Sequence, residues 1–218
     1  MTSAEPSPAN TPADSALCAA LTTEHAVIYG YGIVSAHCDP DVNTLVSFAL
    51  NQHRQRRDQA IAMLTGRSVS APVAAAGYQL PFPVNNATDA TRLAARMEKD
   101  TEVAWRAVIE QAKTPEDRKF GVTALTQSAV LAARWNQVLG VNPTSTSSQT
   151  AGPTPTTSAA AAPPPTLSDV INSLRGSAAS ASHLATTSSG YRAGLLGSIA
   201  AACTASYSVA LVFGGPAS

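Results

Sequence analysis

Residues 16–37 read ALCAALTTEHAVIYGYGIVSAH, an apolar run of several helical turns with an acid and a histidine, Glu24 and His25, side by side in its middle. Leu17, Leu21, Glu24, Ile28, Tyr31 and Ser35 are spaced 4, 3, 4, 3, 4, the seam that faces partner helices in a bundle. Glu24 therefore points inward. His25 is turned by about 100° from it on a helix, so it packs at a helix border or faces solvent. A buried carboxylate without a partner is strongly unfavourable, so other helices should bring polar groups to the same depth.

The neighbouring segments supply them. Beyond a CDPD turn around Pro40, a second helical segment runs to Gly66, and its Val46, Leu50, His53, Arg57, Ala60 and Leu64 follow the same spacing. A third helix, about Thr88 to Ala112, has two competing faces, Leu93-Met97-Thr101-Ala104-Val108 and Ala95-Glu98-Glu102-Trp105-Ile109, and the second of them would carry acids inward. A fourth, about Pro115 to Leu139, is stopped by Gly140 and Pro143 and has Gln127 at the middle of its seam of Phe120, Ala124, Leu131, Arg134 and Val138. Between the second and third helices lies SVSAPVAAAGYQLPFPVNNATDA, whose Pro72, Pro81 and Pro83 forbid a continuous helix and predict an extended crossing segment.

Four helices thus make one bundle with a polar centre of Glu24, His53 and Arg57, and with Glu98 or Glu102 and Gln127 nearby. Two chemistries fit such a centre. One is a divalent metal, iron or manganese, held by Glu and His; the other is a metal-free network in which Glu24 accepts hydrogen bonds from Arg57 and His53. Gly30 and Gly32 weaken a helix, so their position inside one predicts close approach by another helix. Tyr29 and Tyr31 read as core anchors, and a cavity lined by Tyr29, Tyr31 and Trp105 would mark a carrier of a small apolar ligand.

The rest of this all-α, alanine-rich chain is organised around the bundle, which spans 15–141. Residues 1–14 lack large apolar side chains and read as a disordered tail. Residues 142–165 are a Pro/Ser/Thr/Ala-rich linker. Residues 166–213 form a helical hairpin whose second arm, GLLGSIAAACTASYSVALVF, is nearly long enough to cross a bilayer but is filled with Ala, Ser, Thr and Gly, so burial against protein is expected and a membrane span is not. Zero formal net charge with 13% charged residues provides no field for nucleic acid or anionic lipid. The basic run HRQRRDQ, residues 53–59, scatters its arginines over several faces and has no interleaved aromatics to stack on bases. Cys18, Cys38 and Cys203 have neither zinc-ligand spacing nor a disulfide pattern. The opening MTSAEPSPANTPADS has no basic and apolar stretch of the secretory kind, so a cytoplasmic location is expected. Phosphate-binding glycine loops, G-x-S-x-G and H-E-x-x-H are missing, and no catalytic residue is assigned.

Together, ALCAALTTEHAVIYGYGIVSAH, the HRQRRDQAIAML run, YQLPFPV and MEKDTEVAWRAVI resemble the DUF4439 ferritin-like family of actinobacteria over about Ala16 to Val141. The resemblance implies a four-helix bundle with a long second connection, in a family that has no established activity. The superfamily's di-iron pattern needs a Glu on two helices and an E-x-x-H pair on each of the other two. Glu24 matches the first position, Glu98 or Glu102 could match the third helix, and His53 the second. Leu50 nevertheless stands three before His53, and between Val122 and Gly140 there is no acid or histidine. The expectation is a non-enzymatic interaction or scaffold protein with a degenerate metal site, no cofactor, and a protein partner or self-association. The alternative is a metal-binding protein with iron or manganese, oxidases included.

Overall fold

A computed structural model describes residues 7–9, 11–140 and 166–213. Its elements are α1 (Pro12–His37), a 3-10 turn at Pro40–Val42, α2 (Asn43–Gly66), α3 (Ala87–Gln111), α4 (Pro115–Val138), α5 (Leu167–Thr187) and α6 (Gly190–Phe213). Among the described residues there is no strand, only an isolated bridge between Ser7 and Val69. The all-α expectation is met.

The helix starts are chemically marked. Thr11, Asn86, Thr114 and Thr166 each accept a hydrogen bond from the backbone N–H three residues on, and Pro12 and Pro115 occupy first-turn positions where no donor is needed. Helix α1 therefore begins inside the segment expected to be a tail. Ala13 and Asp14 are buried, and Asp14 pairs with Arg67, which also reaches Asp117 at 2.6 Å. The remainder of the expected tail, 1–6 and 10, lies outside the described residues, as does the expected linker, 142–165.

Helix α1 packs against α2 and α3, and α3 against α4. Both faces of α3 weighed in the sequence are in use, since Leu93, Met97, Thr101 and Val108 are buried together with Ala95, Glu98, Trp105 and Ile109. Gly30 of α1 lets Met97 of α3 lie directly on its backbone, whereas Gly32 has nothing near it and faces solvent. The crossing segment between α2 and α3 runs over α1, held by a contact of His25 Nε2 with Pro72 O at 3.1 Å and by the Tyr29 and Tyr78 rings 5.5 Å apart.

The α5–α6 hairpin lies on α3 and α4. Ala193, Gly194, Gly197, Ala200 and Ala201 form its inner face; Gly194 sits on Glu110, and Gly197 meets Ile109, Val122 and Leu125. Arg118 donates to Ala112 O at the end of α3 (3.0 Å) and to Thr186 O in the last turn of α5 (2.9 Å), a favourable place for a cation because both helix ends carry negative dipole charge. One apolar cluster joins Leu17, Leu64, Trp105 and Ile109 to Ala185, Ala193 and Ala201 of the hairpin. A second, at the other end of the bundle, holds Val27, Tyr31, Val46, Leu93, Leu131 and Trp135.

Candidate functional site

Between the two clusters is a layer of buried polar groups. Glu24 of α1, His53 of α2 and Glu98 of α3 have no solvent exposure, and Arg56 of α2 has 3%. His53 Nδ1 is 2.6 Å from Glu24 Oε2, and Nε2 is 2.9 Å from Glu98 Oε1. Ionised carboxylate oxygens accept and do not donate, so with both acids charged each ring nitrogen presents a hydrogen and the ring is an imidazolium. The outer positions are closed by aromatic donors. Trp105 Nε1 donates to Glu24 Oε1 at 2.7 Å; Tyr31 OH donates to Glu98 Oε1 at 2.5 Å and accepts from Trp135 Nε1 at 2.8 Å. A continuous chain, Trp105–Glu24–His53–Glu98–Tyr31–Trp135, thus crosses the interior and joins α1, α2, α3 and α4.

Arg56 is the second cation of the layer. Its guanidinium donates to Ala124 O at 2.8 Å and Ser128 Oγ at 2.7 Å, both on α4, and its Nε lies 3.4 Å from Glu24 Oε1 without a hydrogen bond. One Nη2 atom lies 2.8 Å from His53 Nδ1 and 3.3 Å from Nε2. The in-plane directions of these nitrogens diverge, so an atom near both stands over the ring face. Nη2 therefore lies over the imidazole and leaves both in-plane positions to the carboxylates. Two anions and two cations then cancel in a space that excludes water, the condition under which buried charge is tolerated.

The protonation states follow. Burial would push the Glu24 carboxyl up, but Arg56, His53 and the Trp105 hydrogen bond together outweigh it and hold it below its ordinary value of 4.5. Burial and the charge of Arg56 would lower His53, yet the charge of Glu98 and the hydrogen bonds to both carboxylates outweigh them and raise it above 6.5. Burial, reinforced by Glu98, pushes the Tyr31 phenol well up, so it stays a donor.

Of the residues expected at the centre, Glu24, His53, Glu98 and Tyr31 meet there. Glu102 does not: it is half-buried on the flank of α3 with Lys99 Nζ 3.0 Å away, and its carboxyl is raised by burial. Arg57 is corrected to the surface, where it pairs with Asp58 at 2.7 Å. Gln127 is also corrected, facing a groove between α4 and α5 shared with Ser182 and His183. Tyr29 is 39% exposed against Tyr78 while Tyr31 and Trp105 are inside the network, so these three line no common cavity.

Sequence reasoning missed Arg56, Ser128 and Trp135. The helical period admits these residues without selecting them. In α2 the buried residues are Val46, Ala49, His53, Arg56, Ala60 and Leu64, a seam of the same period as the expected one that uses Ala49 and Arg56 in place of Leu50 and Arg57. In α4 the seam is rotated by one residue, from Gln127 and Arg134 to Ser128 and Trp135. Among the described residues no group of three or more His, Cys, Asp or Glu side chains is arranged to hold a metal ion.

The comparisons with known proteins add a family and no activity. A search of curated proteins finds no match. The chain is similar to the crystal structure of a conserved hypothetical protein, rv2844, from Mycobacterium tuberculosis, at 60% sequence identity and a TM-score of 0.59, over 62% of this chain and 96% of that one. The family model described as domain of unknown function (DUF4439) matches residues 16–153, which include the whole polar layer, and the chain belongs to that family.

Proposed function

We propose that the chain is a ferritin-like protein with a degenerate metal site, working in the cytoplasm as a non-enzymatic interaction or scaffold protein. The observation that carries this is the position of His53 between Glu24 and Glu98. Both ring nitrogens of His53 are taken up by carboxylates, and Arg56 supplies a fixed positive charge beside them where a metal would stand. The superfamily's metal pattern is not met on α2, where Leu50 stands in place of the acid, or on α4, which brings Ser128 and Trp135 to the layer. The side chains present do not fit a resident metal pair. Cys18, Cys38 and Cys203 are free thiols, in keeping with a reducing compartment.

Metal analysis of protein purified without chelator tests the reading. Far less than one metal ion per chain is expected, with a thermal midpoint that chelator does not move. A second reading, a ferritin-like protein that binds iron or manganese, oxidases included, is favoured by one observation: Glu98 Oε2 is buried without a hydrogen-bond partner. Stoichiometric metal that a folded Glu24→Gln variant fails to hold would establish this alternative and sink the first reading.

A further inference from the structure

Helix α6 is apolar around most of its circumference. Gly190–Leu211 has a mean hydropathy of 1.5, long and apolar enough to cross a membrane, yet only 28% of that stretch is buried. Helices of this kind are normally enclosed. Its inner face lies on the bundle. Its outer face carries Tyr191, Leu195, Ile199, Ala202 and Ser206, spaced 4, 4, 3, 4 and all exposed, with no charge among them.

The two ends of this face differ in shape. At the N-terminal end Tyr191, Leu195 and Ile199 project, at 69%, 41% and 42% exposure. At the C-terminal end small side chains leave a trough of about 360 Å³, walled by Glu102 and Val103 of α3, Ala129 and Ala133 of α4, and Ala202 and Ala205 of α6. The projections lie on the outer face of α6 and the hollow beside its C-terminal half, where Ala202 and Ser206 of that face join the wall, so the surface is complementary to itself. A two-fold axis between Ser198 and Ile199 would place Leu195 of each copy opposite Ala202 of the other, and Tyr191 opposite Ser206. Interfaces of closed dimers have this reciprocity.

Charge agrees with shape. Arg192 is exposed and makes no ion pair or hydrogen bond among the described residues. Helix α6 runs antiparallel to α3, with Gly194 on Glu110, Tyr191 over Arg106, and Ala202 and Ser206 sharing the trough with Lys99 and Glu102. The same axis therefore brings Arg192 of one copy to the trough wall of the other, where Arg106 is paired with Glu110 and Glu102 accepts from Lys99 Nζ through Oε2 at 3.2 Å, leaving its Oε1 without a well-aligned hydrogen bond.

We propose that the chain forms a two-fold homodimer in which α6 pairs antiparallel with α6 of a second copy, Leu195 and Tyr191 filling the partner's trough and Arg192 meeting Glu102. These observations are separate from the bundle centre, so the metal result neither supports nor weakens them.

Sedimentation of the full chain at tens of micromolar should report twice the 22.3 kDa chain mass. Ala202→Trp fills the trough from an exposed position and should give a monomer with an unchanged circular dichroism spectrum. Arg192→Glu should weaken the dimer by about tenfold or more, because like charges then face each other, and adding Glu102→Lys should restore it. A chain that is monomeric throughout, or a dimer that both Ala202→Trp and Arg192→Glu leave intact, overturns the proposal. So does a monomer that floats with phosphatidylcholine vesicles, which would assign the face to a membrane.

Discussion

The centre of the bundle and the seat of the hairpin are both places where helices pack together, and they are built on opposite principles. At the centre, large polar groups from four helices meet at fixed hydrogen-bond distances, with Trp105 and Trp135 closing the ends. Under the hairpin, glycines and alanines of α6 let a helix settle on Ile109, Val122 and Leu125, and polar ties such as Arg118 sit near the ends of helices. Directional bonds specify which residue faces which, and a one-residue rotation of any helix breaks several at once. Small-residue packing specifies distance only. The centre should therefore be intolerant of chemical change and the hairpin seat intolerant of volume.

The largest effect is expected at the centre. Glu24→Ala leaves His53 Nδ1 and the Trp105 N–H buried without their acceptor and Arg56 without the carboxylate beside it, and breaking a buried ion pair from one side costs about 3–5 kcal/mol. Urea unfolding should show this as loss of much or all of the bundle's stability. A cost below about 1 kcal/mol, the size expected of a solvated surface pair, would mean that water reaches the layer.

The hairpin seat ranks next. A Cβ on Gly197 would stand 2.9 Å from Ile109 Cδ1, so Gly197→Leu should cost about 1–3 kcal/mol through overpacking. The loss should be local. Amides of α5 and α6 should exchange faster while those of α1 to α3 keep their protection; uniform loss across all six helices would show that hairpin and bundle unfold as one unit. Gly176 of α5 has nothing within 4 Å of its Cβ position, and Gly176→Ala should instead stabilise by about 0.5–1 kcal/mol.

The comparison also explains what the sequence could disclose. Helix number, the crossing segment and the hairpin follow from apolar period, proline and capping residues, which are local properties. The depth of Glu24 and His53 was legible for the same reason, since each interrupts an otherwise apolar seam. The rotation of α2 was not. Arg56 and Arg57 are adjacent and equally charged, and a helical seam tolerates either; the choice was made by Ser128 and Ala124 O on α4, at 2.7 and 2.8 Å, partners that no local pattern reveals. The same one-residue ambiguity hid Trp135 behind Arg134. Docking of the hairpin on its own bundle is the expectation for a hairpin tethered to that bundle, and α5 and α6 do lie on α3 and α4; which residues they meet depends on contacts distant in the sequence that no local pattern reveals.

A smaller effect, and one confined to the centre, is pH dependence. His53 is raised above 6.5 in the folded chain, so its contribution is complete below 6.5 and is lost as pH rises through the folded value. Glu24 is held below 4.5, so its contribution is complete above 4.5 and is lost as pH falls through the folded value. Stability from the layer is therefore greatest between 4.5 and 6.5 and declines on both sides. Thermal midpoints measured from pH 4 to 9 should fall on the alkaline side, and a profile flat above pH 6.5 would show that His53 is neutral and that one carboxyl of the pair carries the proton.

The smallest effect separates two neighbouring arginines. Arg57 is half-buried and pairs with the exposed Asp58 on its own helix, and such pairs at the surface contribute about 0–1 kcal/mol. Arg57→Ala should change stability by no more than about 0.5 kcal/mol. Arg56→Ala removes the buried cation from an enclosed layer and leaves Ser128 Oγ and Ala124 O without their donor, so its cost should approach that of Glu24→Ala. Measured side by side in urea, the two variants differ only in which of two adjacent arginines is truncated, and helix propensity and charge change are the same in both. A difference of about 2 kcal/mol or more fixes the rotation of α2 and with it the position of His53 between its two carboxylates. Equal costs would place both arginines at the helix border, and the closed network of two anions and two cations could not form.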